Sequence, residues 1–459
     1  MLFSSTKNPS EKISLKQALL QGLAPDGGLY VPETIPQLEV RRFDELKVAN
    51  YQQLCLELAK LWYGRDVPED ELERMTHLAY DQLEPKVVKL SGQLSALELF
   101  HGPTLSFKDF GARMLAQMIN YFAGQEGKQY TILAATSGDT GVAIASAFSG
   151  MRNIRVVILY PKGKVSPFQE SQMLSLQGNV QVYAVAGTFD DCQKNVKWAF
   201  VDPELKIINL TSANSINIGR LIPQSWYYIY ACLQVLSTEP DTDLTVCVPS
   251  GNFGNLTACL LAKLQGARIG KILAATNIND IVPHYLKTGK FTPRPSQLTL
   301  ANSMDIGNPS NWERVRYYLG EEVESARETL WGASKTDEQI RAAIRQAYRD
   351  YTYLLDPHGA IALQALLDYQ QGHPGPGVAV MTGSPYKYRE LLQNTIGEQF
   401  SDWPRLAVDA AAPEILEKDY PALKSALINK KPGFHVVRAE ANRGEEPGLS
   451  KKFTAELRR

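Results

Sequence analysis

The stretch YTILAATSGDTGVAIASAFSGMRNIRVVILYP, residues 130–161, holds the fold in miniature. Two short apolar runs, YTILAAT and IRVVILYP, frame a segment of helical period, GVAIASAFSGM, and a glycine-rich turn joins the first run to that helix. Runs that are apolar almost throughout imply a sheet covered on both faces, and a helical crossover implies parallel pairing. The alternation continues outward: VQVYAVAG, LKIINL, LTVCVPS, KILAATN and GVAVMTG read as strands, SPFQESQMLSLQG and FDDCQKNVKWAFV as helices. The chain is therefore expected to be an α/β protein.

At 459 residues it exceeds what one hydrophobic core usually holds. Residues 1–92, helical in pattern after the turn-rich opening LAPDGGLYVPETIP, read as an N-terminal domain. Residues 93–236 and 237–435 read as two α/β domains, and 436–459 as a charged, loosely held tail. The second set of strands is interrupted at about 278–350 by a Pro- and Asn-rich stretch and the charged helical run SNWERVRYYLGEEVESARETL, which reads as an insertion.

Apolar residues make up 44% and charged residues 21%, with a formal net charge of -1, so nothing points to nucleic acid or to an acidic membrane surface. The five cysteines (Cys55, Cys192, Cys232, Cys247, Cys259) are scattered and form no C-x-x-C pair, which fits a reducing cytoplasm better than a disulfide framework or a zinc site. The opening MLFSSTKNPSEK does not read as a secretory signal, and no apolar run approaches the ~20 residues that span a bilayer. The histidines (His77, His101, His284, His358, His373, His435) make no close-set metal pattern.

In open α/β sheets, ligands sit beyond the carboxyl ends of strands. Two turns have that context: ATSGDTG, 135–141, and PSGNFGN, 249–255. Each is either an ordinary strand-to-helix turn or a place where glycines let backbone amides cradle an anion at a helix start. In the first, Asp139 is expected to cap the helix. Neither matches G-x-G-x-x-G or the P-loop, so nucleotide binding loses its best support. Upstream, HGPTLSFKDFGA, 101–112, sets Lys108 between Phe107 and Phe110. Such a lysine either points outward or is desolvated by its aromatic neighbours, and a desolvated amine is the one a Schiff base with an aldehyde requires. Lowering a lysine pKa from ~10.4 to about 7–8 costs roughly 4 kcal/mol, which burial and nearby cations can supply. The cofactor that joins an aldehyde to a phosphate is pyridoxal phosphate.

HGPTLSFKDFGARML, AATSGDTGVAIASAF, SANSINIGRLIPQ, PSGNFGNLTA and AATNINDIVP resemble the threonine synthase family, in order and over nearly the whole chain, and GLAPDGGLYVPETIP is similar to its N-terminal domain. The resemblance implies the type II fold of pyridoxal phosphate enzymes: two open parallel-sheet α/β domains preceded by a helical N-terminal domain. It implies that Lys108 is the Schiff-base lysine. Gly251, Asn252, Phe253, Gly254 and Asn255 would hold the cofactor phosphate, and Ser137, Gly138, Asp139, Thr140 and Gly141 the substrate carboxylate. Asn214, Ser215 and Arg220 would meet the substrate's own phosphate. MTGSPYKYRELL is similar to the family's TAHPAKF, which would put Thr382, or failing it Ser384, at the pyridine nitrogen; Gly383, Ser384 and Tyr386 depart from that pattern. Asn255 stands where some relatives have aspartate.

The implied reaction is a β,γ-replacement by a carbon–oxygen lyase acting on phosphates: O-phospho-L-homoserine and water give L-threonine and phosphate, the last step of threonine biosynthesis. Two anion sites suit a phosphorylated substrate, where a simple dehydratase would need one. The alternatives are a phospho-lyase that releases 2-oxobutyrate from the same substrate, and a non-catalytic phosphate- or amino-acid-binding module. The expectation is a cytoplasmic monomer or homodimer with a small-molecule substrate and no metal, nucleic acid or membrane partner.

Overall fold

The computed structural model describes residues 1–38, 46, 50–136, 138–238, 242–400 and 412–429. Ser137 and the tail 436–459 lie outside the described residues. The chain opens with β1 Leu2–Ser5, β2 Ile13–Ser14 and β3 Tyr30–Pro32, a small antiparallel sheet in the order β2-β1-β3. An antiparallel hairpin follows, β4 Lys86–Ser91 and β5 Leu94–Glu98. Then come β6 Tyr130–Ala135, β7 Ile154–Pro161, β8 Val180–Val185 and β9 Leu210–Thr211. The remaining strands are β10 Leu244–Pro249, β11 Ile269–Thr276, β12 Leu330–Ser334, β13 Gly377–Met381 and β14 Glu414–Leu416.

Two larger sheets carry the α/β character expected from the sequence. One has the order β14-β8-β7-β6-β9 and is parallel throughout. The other runs β12-β11-β10-β13-β5-β4 and is parallel except for the hairpin at its edge. Every residue of β6, β7 and β13 is buried, as strands with helices on both faces must be. At the edge, β4 carries exposed Lys86 and leaves its outer residues half-buried, which discourages further strand pairing.

The sheets do not follow the linear boundaries at 92/93 and 236/237. The hairpin of β4 and β5 pairs into the second sheet through β13, so 86–98 joins strands more than a hundred residues downstream. Conversely, β14 returns to β8 in the first sheet, and Arg155 of β7 holds the carbonyls of Ala426 and Leu427 at the end of helix Tyr420–Asn429. The stretch 278–350 is no mere insertion, since β12 within it forms one edge of the second sheet. LKIINL is not a strand either: Pro203–Ile208 is a 3-10 helix, begun by the Asp202 side chain accepting from the Glu204 amide, and only Leu210–Thr211 pairs.

The N-terminal helices Tyr51–Tyr63 and Glu69–Tyr80 support the start of helix Lys108–Glu126 through aromatic edges. The Tyr51 ring lies 5.6 Å from Tyr80 and 5.7 Å from Phe110, and Phe110 lies 5.4 Å from Tyr227. Phe110 is therefore spent on the core. Two positions along a helix point to opposite sides, so the apolar neighbour of the Lys108 amine is Phe107, its ring centroid 5.5 Å from Nζ.

Candidate active site

Four segments that leave the carboxyl ends of strands converge: the loop after β5 that ends at Lys108, the turn after β6, the turn after β10 and the loop after β13. The first and last are tied together. The Phe107 amide donates to the Thr382 carbonyl at 3.0 Å, the Ser384 amide to the Leu105 carbonyl at 3.0 Å, and Ser106 bridges to Gly383. Leu105 takes a φ of 55°, a left-handed value that costs a branched residue about 1–3 kcal/mol and marks a backbone held by its surroundings. Asp109 steadies the next turn by accepting from the Thr104 amide at 3.0 Å and hydroxyl at 2.7 Å.

Lys108 stands at the first turn of its helix with its side chain 14% exposed. Burial lowers its pKa; Asp139 opposes this and the cations Lys387 and Arg220 add to it, bringing the group down to about 8. Asp139 Oδ2 is 4.0 Å from Lys108 Nζ. The other oxygen, Oδ1, accepts from Lys387 Nζ at 2.8 Å and from Gln169 Nε2 at 2.7 Å. Burial pushes this carboxyl up, but Lys387 and Lys108 outweigh it and hold it well below the usual carboxylate range. Asp139 does not cap its helix: Gly138 is the cap, with φ 147°, and the carboxylate turns to the two lysines. Thr136 Oγ1 receives the amides of Gly138 at 3.0 Å and Gly141 at 2.8 Å, shaping the turn, and a Cβ on Gly141 would come within 2.4 Å of Thr136.

In the turn after β10, Phe253 also takes a left-handed φ, 59°, and no side chain caps helix Gly254–Leu264. A Cβ on Gly251 would meet the Met304 backbone at 2.7 Å, and one on Gly254 the Ser215 side chain at 3.0 Å. The hydroxyls of Tyr227 and Tyr228 both donate to Asn255 Oδ1, leaving Asn255 Nδ2 buried without a partner. Ser215 Oγ accepts from Asn252 Nδ2 at 2.9 Å and from Asn311 Nδ2 at 3.3 Å. Behind it Arg314, fully buried, holds the carbonyls of Ser215, Ile216 and Tyr30. Arg220 gives Nη1 to the Ala213 carbonyl at 2.9 Å, and its Nε is buried and unpartnered, as is Asn214 Oδ1. Burial lowers the Arg220 guanidinium to about 10.

Buried polar atoms are nearly always hydrogen-bonded, so the unpartnered donors Asn255 Nδ2 and Arg220 Nε and the unpartnered acceptor Asn214 Oδ1 are free to meet a ligand. The arrangement is a buried amine with one unpartnered donor at Asn255 and another at Arg220.

Residues 85–383 match the family described as pyridoxal-phosphate dependent enzyme, and residues 2–80 match the threonine synthase N terminus. The chain is 41% identical to threonine synthase of Escherichia coli K12 over 94% of its own length and all of that protein. The chain belongs to the threonine synthase family. The crystal structure of threonine synthase from Escherichia coli superposes with a TM-score of 0.85 at 40% identity, covering 94% of this chain and 100% of that one. The PLP-bound threonine synthase from Brucella melitensis gives 0.87 at 32%, covering 93% and 98%.

As a member of the threonine synthase family the chain is a pyridoxal-phosphate-dependent lyase of the type II fold. Its residues fit the cofactor: the unpartnered Asn255 amide, the uncapped helix start and glycines with no room for a side chain suit a phosphate brought against backbone. Of the expected site residues, all but the undescribed Ser137 fall in the four converging segments or on the loop and helix start at Asn214–Arg220. The sequence reading missed Lys387, Gln169, Asn311, Arg314, Tyr227 and Tyr228. The NPSN run before helix Trp312–Leu319 was a signal for Asn311, and Lys387 falls on the lysine of TAHPAKF, but its partner, 248 positions away, could not be read from the motif.

Proposed function

We propose that this member of the threonine synthase family converts O-phospho-L-homoserine and water to L-threonine and phosphate in the cleft at Lys108, with the residues above in the following roles. Gly251, Asn252, Phe253, Gly254 and Asn255 would hold the cofactor phosphate, and Lys108 would hold its aldehyde carbon. Bound there, pyridoxal phosphate supplies an electron sink that makes the C–H bonds near the substrate amine acidic. Thr382, the first hydroxyl after β13, would donate to the ring nitrogen, with Ser384 the alternative donor.

The turn Ser137, Gly138, Asp139, Thr140 and Gly141 receives the substrate carboxylate through its backbone amides and hydroxyls, the Asp139 side chain remaining with Lys387, and Asn214, Ser215 and Arg220 receive the substrate phosphate. Lys108, with a pKa of about 8, takes and returns protons at Cα and Cβ near neutral pH. Tethering gives that amine a high effective concentration. Arg220 Nε, unpaired in the fold, stabilises the phosphate as it departs from Cγ.

The observation that carries this reading is a buried amine served by two separate anion sites. The five buried, unpaired cysteines support action in a reducing compartment, and we place it in the cytoplasm. Incubation of the purified protein with pyridoxal phosphate and O-phosphohomoserine tests it, with phosphate and threonine measured together. Equal yields are expected. Phosphate accompanied by 2-oxobutyrate would replace this reading with a phospho-lyase.

A further inference from the structure

Lys387 is a buried cation of the cleft to which the roles above give no part. Its side chain is 4% exposed and ion-paired with Asp139, itself 7% exposed. Lys387 follows β13 of the second sheet, and Asp139 follows β6 of the first, so the pair spans the cleft between the two sheets. Lys108 enters the same triangle from the loop after β5, which is stitched to the loop of Lys387 through Thr382, Gly383 and Ser384. Two cations from one side thus face one carboxylate from the other.

The two donors to Asp139 act on the same oxygen. Lys387 and Gln169 both take Oδ1, which turns Oδ2 toward Lys108 but leaves it at 4.0 Å, beyond a hydrogen bond. A buried carboxylate with a single cation in reach forms a close, charge-assisted pair with it. Without Lys387 the only cation beside Asp139 would be Lys108, and a lysine locked as an ammonium can neither condense with an aldehyde nor accept a proton. The charged groups facing Lys108 are Asp139, Lys387, Arg220 and Asp109; Tyr388, which also faces Asp139, has its hydroxyl pushed up by burial and stays neutral.

We propose that Lys387 is a positioning residue: by holding Asp139 across the cleft it keeps that carboxylate from closing on Lys108 and leaves the Lys108 amine free to react. The inference rests on the reading of Lys108 as the reactive amine.

The test uses the cofactor-free full-length protein, pulsed with acetic anhydride over a pH series, with acetylation of Lys108 read by mass spectrometry. Only the neutral amine is acylated, so the midpoint of the profile reports its protonation. In the wild type the midpoint is expected near 8. Lys387→Met removes the competing cation, and its midpoint is expected about one pH unit higher, so labelling at pH 7 falls about tenfold. Lys387→Arg restores the wild-type profile. Asp139→Asn combined with Lys387→Met removes both charges and returns the midpoint to the wild-type value or lower.

A Lys387→Met profile that coincides with the wild type overturns the proposal. So does a double variant that keeps the upward shift, because loss of packing rather than loss of charge would then explain it. A wild-type midpoint at the ordinary lysine value near ~10.4 overturns the reading of Lys108 itself, and the proposal with it.

Discussion

Lys108 Nζ and Asp139 Oδ2 face each other at 4.0 Å, within reach of charge and beyond reach of a hydrogen bond. This spacing leaves the ammonium form of Lys108 without a bonded partner in a buried place, so its pKa falls from 10.5 to about 8. Between those two values the unfolded chain holds a proton that the folded chain has released, and stability rises with pH across that window. Below 8 both states are protonated and the burial penalty is constant. Lys108→Met removes it. In the cofactor-free protein this variant is expected to melt above the wild type at pH 7, by the equivalent of about 2–3 kcal/mol, with the margin closing toward pH 10.5. Turnover is abolished. Thermal melts at pH 7, 9 and 10.5 check it, and a less stable variant at pH 7 contradicts it.

Asn255 joins two functions in one side chain. Its oxygen takes the Tyr227 and Tyr228 hydroxyls, while its nitrogen is offered to the proposed cofactor phosphate. Asn255→Ala takes the shared acceptor from two buried hydroxyls, at a cost of about 1–3 kcal/mol, and removes an anion donor. Both stability and affinity for pyridoxal phosphate are expected to fall, the affinity by about tenfold or more. Absorbance titration of the cofactor-free variant measures the second effect, and unchanged affinity would remove Asn255 from the phosphate site.

Gly111 packs where a side chain cannot. A Cβ there would lie 2.5 Å from the Arg220 carbonyl oxygen and 3.1 Å from Arg220 Nε. Alanine would normally favour a helix over glycine, by about 1 kcal/mol. Here overpacking, typically about 1–3 kcal/mol, outweighs that gain and pushes Arg220 away from its place. Gly111→Ala is expected to lower the melting temperature and raise KM for the phosphorylated substrate about tenfold. A variant with improved stability and ordinary KM would show that helix Lys108–Glu126 can shift without moving Arg220.

Strands β6, β7, β8, β10, β11 and β13 were legible because burial on both faces leaves apolar runs that few other structures produce. The hairpin KVVKLSGQLSALE was not, since β4 lies at a sheet edge with lysines outward and its partner β13 is far along the chain. LWGAS hid β12 for a different reason: Gly332 sits under Pro283, whose Cα lies 2.8 Å from where a Cβ would be, so packing removed the side chain that would have signalled a strand. At the site, glycine turns and the motif lysine were visible because their chemistry is local. Arg314 acquires meaning only from partners that folding brings to it, and Lys387, though on a motif lysine, shows its pairing with Asp139 only in the fold. Phe110 shows the converse, since proximity in sequence to Lys108 suggested a contact that helix geometry directs elsewhere.

Arg314 gives the last expectation. Its guanidinium is fully buried, lowered by burial to about 10, and donates to the carbonyls of Tyr30, Ser215 and Ile216. It thus clips the N-terminal sheet to the loop whose Ser215 and Asn214 are proposed to meet the substrate phosphate. It also accepts no role at Lys108 or at the cofactor. Arg314→Met keeps much of the volume but leaves three carbonyls short of a donor, so the loop at 214–216 should loosen. KM for O-phosphohomoserine is expected to rise about tenfold or more, while cofactor affinity and the Lys108 acylation profile stay near wild type. Lys at this position should recover only part of the loss, because an ammonium lacks the planar fork that reaches several carbonyls at once. If cofactor affinity fell as steeply as substrate affinity, the clip would be holding the whole cleft and not the phosphate loop alone.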